Sequence, residues 1–142
     1  MLEQAHDRIL ISTRGQGFTD LTGQVARWLT AIGADSGLIT LFVRHTSASL
    51  TVQENADPDV QRDLLTALDR AAPRTRRYRH NSEGPDDMPA HIRSMLTATS
   101  LSIPVLAAKA VLGTWQAIYL IEHRDQAHDR EVALHFLGTF KR

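Results

Sequence analysis

Apolar residues in this chain follow two spacings, and the changes from one to the other mark out most of its elements. Residues 8–12 form a β-branched run closed by Arg14-Gly15-Gln16-Gly17, which predicts a first strand and a turn. From Leu21 through Val25, Trp28, Leu29 and Ile32 the repeat is helical, with Thr19 or Asp20 available as the cap and Gly33 as the stop. Residues 38–43 are nearly all apolar and rich in β-formers, so they predict a buried strand leading into Arg44-His45-Thr46-Ser47. Residues 49–53 alternate polar with apolar and predict another strand. Asn55-Ala56-Asp57-Pro58-Asp59 breaks it. A helix then starts at Asp57 or Asp59 and runs through Ala71, with Val60, Leu64, Leu65 and Leu68 on one face and Pro73 ending it.

Residues 73–85 have no period and read as loop. Asp86 or Asp87 caps a third helix that carries Pro89 in its first turn and presents His91, Met95 and Ala98 near one face. The last third is strand-like, with alternating runs at 100–106, 114–122 and 131–139. Residues 105–111 admit a short helix by composition, but Pro104 and the flanking strands argue against it. Strands at both ends with helices between them predict one α+β domain over residues 1–142: a mostly antiparallel sheet or sandwich covered by about three helices.

Composition narrows the function more than the fold. Sixteen basic residues balance sixteen acidic ones, so no global field draws in nucleic acid or an anionic membrane. The one basic cluster, Arg74, Arg76, Arg77 and Arg79, reads as a solvated connector or a local phosphate-contacting edge. The absence of cysteine removes disulfides, thiolate nucleophiles and zinc–thiolate sites. Charge within residues 1–7 does not suit a signal peptide, and no stretch approaches the roughly 18 apolar residues of a membrane span, so the expectation is a soluble cytoplasmic protein.

Seven histidines stand against those absences. His45, His80, His91 and His123 lie near turns or helix starts, and three imidazole nitrogens on a divalent ion leave a position open for water or substrate. The best three, His45, His80 and His91, come from a strand end, a loop and a helix, a spacing that is no motif in itself. Ser47 and Ser49 put hydroxyls beside His45, but the glycines of a nucleophile elbow are missing. Glu54 is a carboxylate able to orient a histidine or act as a base. Glu83-Gly84-Pro85-Asp86-Asp87 precedes a helix, where acidic groups are first of all capping groups and only second a magnesium pair. Trp115 reads as core, while Gln116, Glu122 and Arg124 need partners if buried.

Taken together, residues 45–58, 84–92, 113–116 and 122–124 resemble the secondary thiamine-phosphate synthase (YjbQ-like) family, in order and over nearly the whole chain. The resemblance implies an α+β subunit that assembles as a homotrimer with a cleft near the subunit boundary. It implies a divalent metal, zinc first, on His45, His80 and His91. Glu54, His45 and His91 are then the catalytic candidates, and Ser47, Asn55, Gln116, Glu122 and Arg124 the substrate contacts. The activity implied is the joining of an aminopyrimidine diphosphate to a thiazole phosphate with release of pyrophosphate. A metal-dependent hydrolase and a non-catalytic trimeric binder of small anions are the alternatives. A P-loop-type phosphate cradle is absent.

Overall fold

The computed structural model describes residues 1–142. Eight strands and three helices follow one another as β1 (Glu3–Ser12), β2 (Gly17–Asp20), α1 (Thr22–Ala31), β3 (Ala34–Val43), β4 (Ala48–Glu54), α2 (Pro58–Ala71), α3 (Asp87–Leu96), β5 (Ser100–Leu106), β6 (Lys109–Ala110), β7 (Gln116–Glu122) and β8 (Asp129–Phe140). Every pairing is antiparallel. One sheet has the order β1-β8-β3-β5-β6 and the other β2-β7-β4. The α+β architecture with three helices is the one expected.

The two-residue period decides which side chains enter the core. In β8, Val132, Leu134 and Phe136 point inward while Glu131, Ala133 and Leu137 point away. Ile39, Leu41 and Val43 of β3 and Ile103 and Val105 of β5 join them. Leu21, Val25 and Leu29 bring α1 into the same cluster, and Leu50, Ile118 and Leu120 close it from the smaller sheet. At the far end Gly37 of β3 faces Gly138 of β8, so closely that a Cβ on either would lie 2.2 Å from a backbone oxygen. Glycine is required at both by this approach of two strands.

Three elements differ from the sequence reading. Residues 17–20, read as turn and cap, form β2, because β7 offers them a ladder from Gly17↔Glu122 to Asp20↔Tyr119. Asp20 still serves α1, accepting the Thr22 N–H at 2.8 Å. Residues 105–111 form no helix, and β5 ends at Leu106 as expected, but a hairpin to β6 follows it, turning at Ala107 and Ala108, both at positive φ. Trp115, expected in the core, is 65 % exposed at the turn before β7.

Helix starts otherwise follow their chemistry. Asp57 caps α2, accepting the Asp59 N–H at 2.9 Å, with Pro58 in the first turn. Val60, Leu64, Leu65 and Leu68 are half-buried on the face α2 turns toward its neighbours β2 and α3. At the start of α3 the Asp86 carboxylate makes no cap bond; it binds Arg124 instead.

Candidate functional site

The β3–β4 corner carries Arg44 to Ser47, and α3 packs against β4 beside it. His91, in the second turn of α3, meets this corner: its Nδ1 lies 3.1 Å from the Thr46 carbonyl oxygen. A carbonyl only accepts, so Nδ1 carries the hydrogen and the lone pair of the neutral ring is on Nε2. That Nε2 lies 3.2 Å from Asp87 Oδ2, one helical turn earlier. His80, from the loop before α3, brings its Nε2 to 2.8 Å from the same oxygen. The two rings stand 5.7 Å apart between centroids. His80, Asp87 and His91 therefore each offer one donor atom within 4.8 Å of the others.

Arg124 sets the aim of this group. Its Nη1 donates to Asp87 Oδ1 at 3.0 Å, its Nε to Asp86 Oδ2 at 2.9 Å, and its Nη2 to the Glu83 carbonyl at 2.9 Å. One guanidinium thus fixes the loop, the helix start and the face of Asp87 turned toward the histidines. The Asp86 partner raises the Arg124 pKa above its ordinary value. Burial pushes the Asp86 carboxyl up, but bonds from Arg124 and the Asp125 N–H prevail and hold it below the usual carboxylate value.

Two hollows flank the trio. One, of about 460 Å³, is lined by Phe42, Arg44, His45, Thr46, His91 and Met95 among others. The other, of about 580 Å³, shares His80 and the arginine-rich loop.

Of the three histidines grouped from the sequence, the structure brings two together. His80 and His91 come together, and the side chain that meets both of them is Asp87, while His45 lies outside this cluster. The His45 Nε2 accepts the Glu131 N–H at 2.8 Å, so its lone pair is already engaged and the proton sits on Nδ1. Burial first, then the Arg130 charge, lowers its pKa and so favours the neutral ring. His45 is left as a hydrogen-bond donor on the wall of the first hollow.

Ser47 and Glu122 are engaged within the chain, both by Arg130. Glu122, 1 % exposed, holds Arg130 through bonds of 2.8 and 2.5 Å, and accepts from Thr13 Oγ1 at 2.6 Å. Arg130 also donates to the Ser47 hydroxyl at 2.9 Å. Burial alone would raise the Glu122 carboxyl, but these bonds outweigh it and hold it below its usual value. This layer anchors the β3–β4 corner from beneath.

Glu54, Asn55 and Gln116 lie at the other end of the small sheet. β4 pairs Ala48 with Glu122 and Glu54 with Gln116, and six strand steps separate those ends by about 20 Å. There Glu54 Oε2 accepts the Asp57 N–H at 3.0 Å, and Gln116 Oε1 accepts the Gly113 N–H at 2.7 Å. Asn55 Nδ2 donates to the Thr114 and Gln116 carbonyls. These three hold turns together, and Glu54 is not beside the histidines.

Sequence reasoning took Asp87 first as a cap and second as half of a magnesium pair with Asp86, and did not join it to the histidines. The signal that could have found it is its spacing of four from His91, which puts both on one helix face. His123 was noted but given no partner. It is fully buried, with Nε2 2.8 Å from Ser49 Oγ and no partner for Nδ1. Burial, then the nearby Arg93 charge, lowers its pKa to about 4. The unfolded chain takes up this proton near pH 6.5 and the folded chain does not, so stability should fall as pH drops from about 6.5 toward 4. The loss is about 3 kcal/mol at most. Urea melts across that range check it: a His123→Gln variant should show a flatter profile, and an unchanged profile would remove His123 as the cause.

Comparison with known proteins places the chain. The family described as UPF0047 protein YjbQ-like matches residues 7–139. The UPF0047 protein sll1880 of Synechocystis is 48 % identical over 136 residues, covering 95 % of this chain and 92 % of that protein. YjbQ of Escherichia coli O157:H7 is 39 % identical over 125 residues, covering 87 % and 91 %. A YjbQ/UPF0047 crystal structure from Clostridium acetobutylicum superposes with a TM-score of 0.84 at 36 % identity, covering 92 % of this chain and 98 % of that one. A YbjQ-like structure from Sulfolobus solfataricus reaches 0.90 at 26 % identity, covering 98 % and 100 %. By sequence and by fold, the chain belongs to the YjbQ-like UPF0047 family.

Proposed function

We propose that His80, Asp87 and His91 hold a divalent ion, zinc first, and that the protein is a metal-assisted enzyme acting on small phosphorylated substrates. The observation that carries this reading is the locked His91 ring. With Nδ1–H on Thr46, an Nε2 lone pair faces a carboxylate oxygen at 3.2 Å, and two electron-rich atoms at that distance call for a proton or a cation between them. A histidine whose other nitrogen donates to a backbone carbonyl is the usual arrangement of a metal ligand. Two imidazoles and one carboxylate also make a donor set that zinc accepts with a position left open.

The reaction we propose is of the thiamine-phosphate synthase type: an aminopyrimidine diphosphate joined to a thiazole phosphate. The bond to the diphosphate oxygen breaks, pyrophosphate leaves with the electron pair, and the thiazole nitrogen supplies the pair for the new bond. A divalent ion at the trio would supply positive charge where the leaving oxygens gain negative charge. Arg44, on the rim of the first hollow, and the His45 Nδ1–H are the chain's own groups for orienting an anion there.

One observation favours a hydrolase as the second reading. Glu83 Oε2 lies 3.9 Å from His80 Nε2 and is exposed, so a carboxylate does stand beside the trio, in the place once expected of Glu54. It is within reach to take a proton from an attacking water.

Turnover of the aminopyrimidine diphosphate and thiazole phosphate, followed by pyrophosphate release, separates the cases. Loss of turnover in His91→Ala together with loss of bound metal supports the transferase. Release of inorganic phosphate from a simple ester, abolished in Glu83→Gln, supports the hydrolase. Ligand binding without any product leaves a non-catalytic binder.

We further propose that the protein is a homotrimer formed through the outer face of the large sheet. Leu10, Leu38, Phe42 and Leu137 are all 43 % exposed or more there, and Leu38 pairs directly with Leu137. No element of the chain covers this face, and zero net charge sets up no repulsion between copies. Phe42 also lines the first hollow, so a second copy seated here would wall the cleft. A Phe42→Asp, Leu137→Asp double variant should sediment as a monomer; a wild-type chain that itself sediments as a monomer ends the proposal.

A further inference from the structure

We infer that the hollow beside His80 is a phosphate-binding subsite, with Arg76 and Arg77 as its binding residues. It would take an anionic group of the same ligand whose reacting end lies at His80, Asp87 and His91, and so it rests on the metal-site reading above. His80 belongs to both places: it is a donor of the trio and a wall of the hollow.

Three observations support a site over a solvated loop. First, the charges are unbalanced. The Arg74 guanidinium is engaged by Asp125 and by Gln16, whereas Arg76 and Arg77 have no hydrogen bond or ion pair within the chain. No acidic side chain lines the hollow, and in a chain of zero net charge that is a strong local excess. Two guanidiniums lining one hollow favour an anion between them, and phosphate oxygens match their paired N–H groups.

Second, the walls are held before any ligand arrives. The Tyr78 hydroxyl donates to the Pro73 carbonyl at 2.8 Å, which closes the arginine-bearing segment on itself. Arg124 fixes the backbone just before the wall residues Gly84 and Pro85, through the Glu83 carbonyl at 2.9 Å. A preformed site loses less freedom on binding than a mobile one. Third, a volume of about 580 Å³ suits a metabolite. A nucleic acid is disfavoured, because its backbone needs a basic stripe and these charges are confined to one loop.

Calorimetry with inorganic pyrophosphate on the zinc-loaded full chain tests the inference. An Arg76→Ala, Arg77→Ala variant should bind pyrophosphate at least about 10-fold more weakly, with zinc content and Tm unchanged. Lysine at both positions should restore part of the affinity. An Arg27→Ala control, on exposed α1, should bind as wild type. Pyrophosphate affinity unchanged in the alanine variant, or no binding by wild type at millimolar concentration, overturns the subsite. Tighter binding of a single-stranded oligoribonucleotide, lost in the same variant, overturns it in favour of a nucleic-acid contact. The two readings fail separately. If His91→Ala retains zinc, the metal site is refuted, yet loss of pyrophosphate binding in the arginine variant still upholds the subsite.

Discussion

An Asp87→Asn variant is expected to lose zinc affinity by at least about 100-fold, more than the 10–100-fold typical of groups one step removed from a metal. Asp87 is the only residue of the trio within hydrogen-bond reach of both others, through one oxygen at 2.8 and 3.2 Å. Its other oxygen receives Arg124, so the carboxylate is also the link between the donor atoms and the arginine that aims them. Asparagine keeps the shape but removes the charge that draws a cation, and it presents an NH2 group to one side.

A second readout needs no activity. A ligand that binds only the folded chain stabilises it by about 2.7 kcal/mol at 100 times its Kd. For a domain of this length that is about 8 °C in Tm. Wild type should show this rise on titration with zinc and fall back with chelator, and Asp87→Asn should show neither. Equal zinc-induced rises in the two proteins would mean that the metal, if any, lies elsewhere.

The largest stability effect is expected below the site. Glu122→Gln or Arg130→Met should each cost about 3–5 kcal/mol, because each leaves the other charge buried without its partner. Glu122 is 1 % exposed and Arg130 5 %, and they share two bonds. In thermal melts the loss is about 10 °C or more. The double variant Glu122→Leu, Arg130→Met should recover much of it, since an apolar pair of similar volume removes both desolvation costs. Recovery of stability need not restore the site. Arg130 also holds Ser47, one residue after the Thr46 carbonyl that orients His91. If the single variants melt within 1–2 °C of wild type, the pair is not the anchor that its burial suggests.

The fold was legible where burial is one-sided and elements are long. The alternation in β8 and the helical repeat in α2 are local consequences of a sheet face and a helix face meeting the core, so they can be read without coordinates. β2 was not legible, because four residues containing a glycine become a strand only when β7 lies alongside. Trp115 was misplaced for a related reason: its size suggests burial, but the register that starts β7 at Gln116 leaves it in the turn.

The site was half legible. His80, His91 and Arg124 could be named from the chain, but the bonds of Arg124 to Asp86 and Asp87 could not. His45 and Glu54 were placed in the chemistry by residue type and by the family resemblance, neither of which carries distances. The structure engages the His45 lone pair with the Glu131 N–H and puts Glu54 on the far side of its sheet.

By itself, then, the order of residues determined the long strands and helices, the class of fold, the lack of cysteine chemistry and the set of imidazoles available. Only the tertiary structure decided which of them meet. Convergence of a loop, a helix turn and a strand corner depends on pairings across more than forty positions, such as His91 with Thr46, and on the direction each ring is turned by its second hydrogen bond. Local sequence sets what a side chain can donate or accept; the folded backbone sets which partner has already taken it.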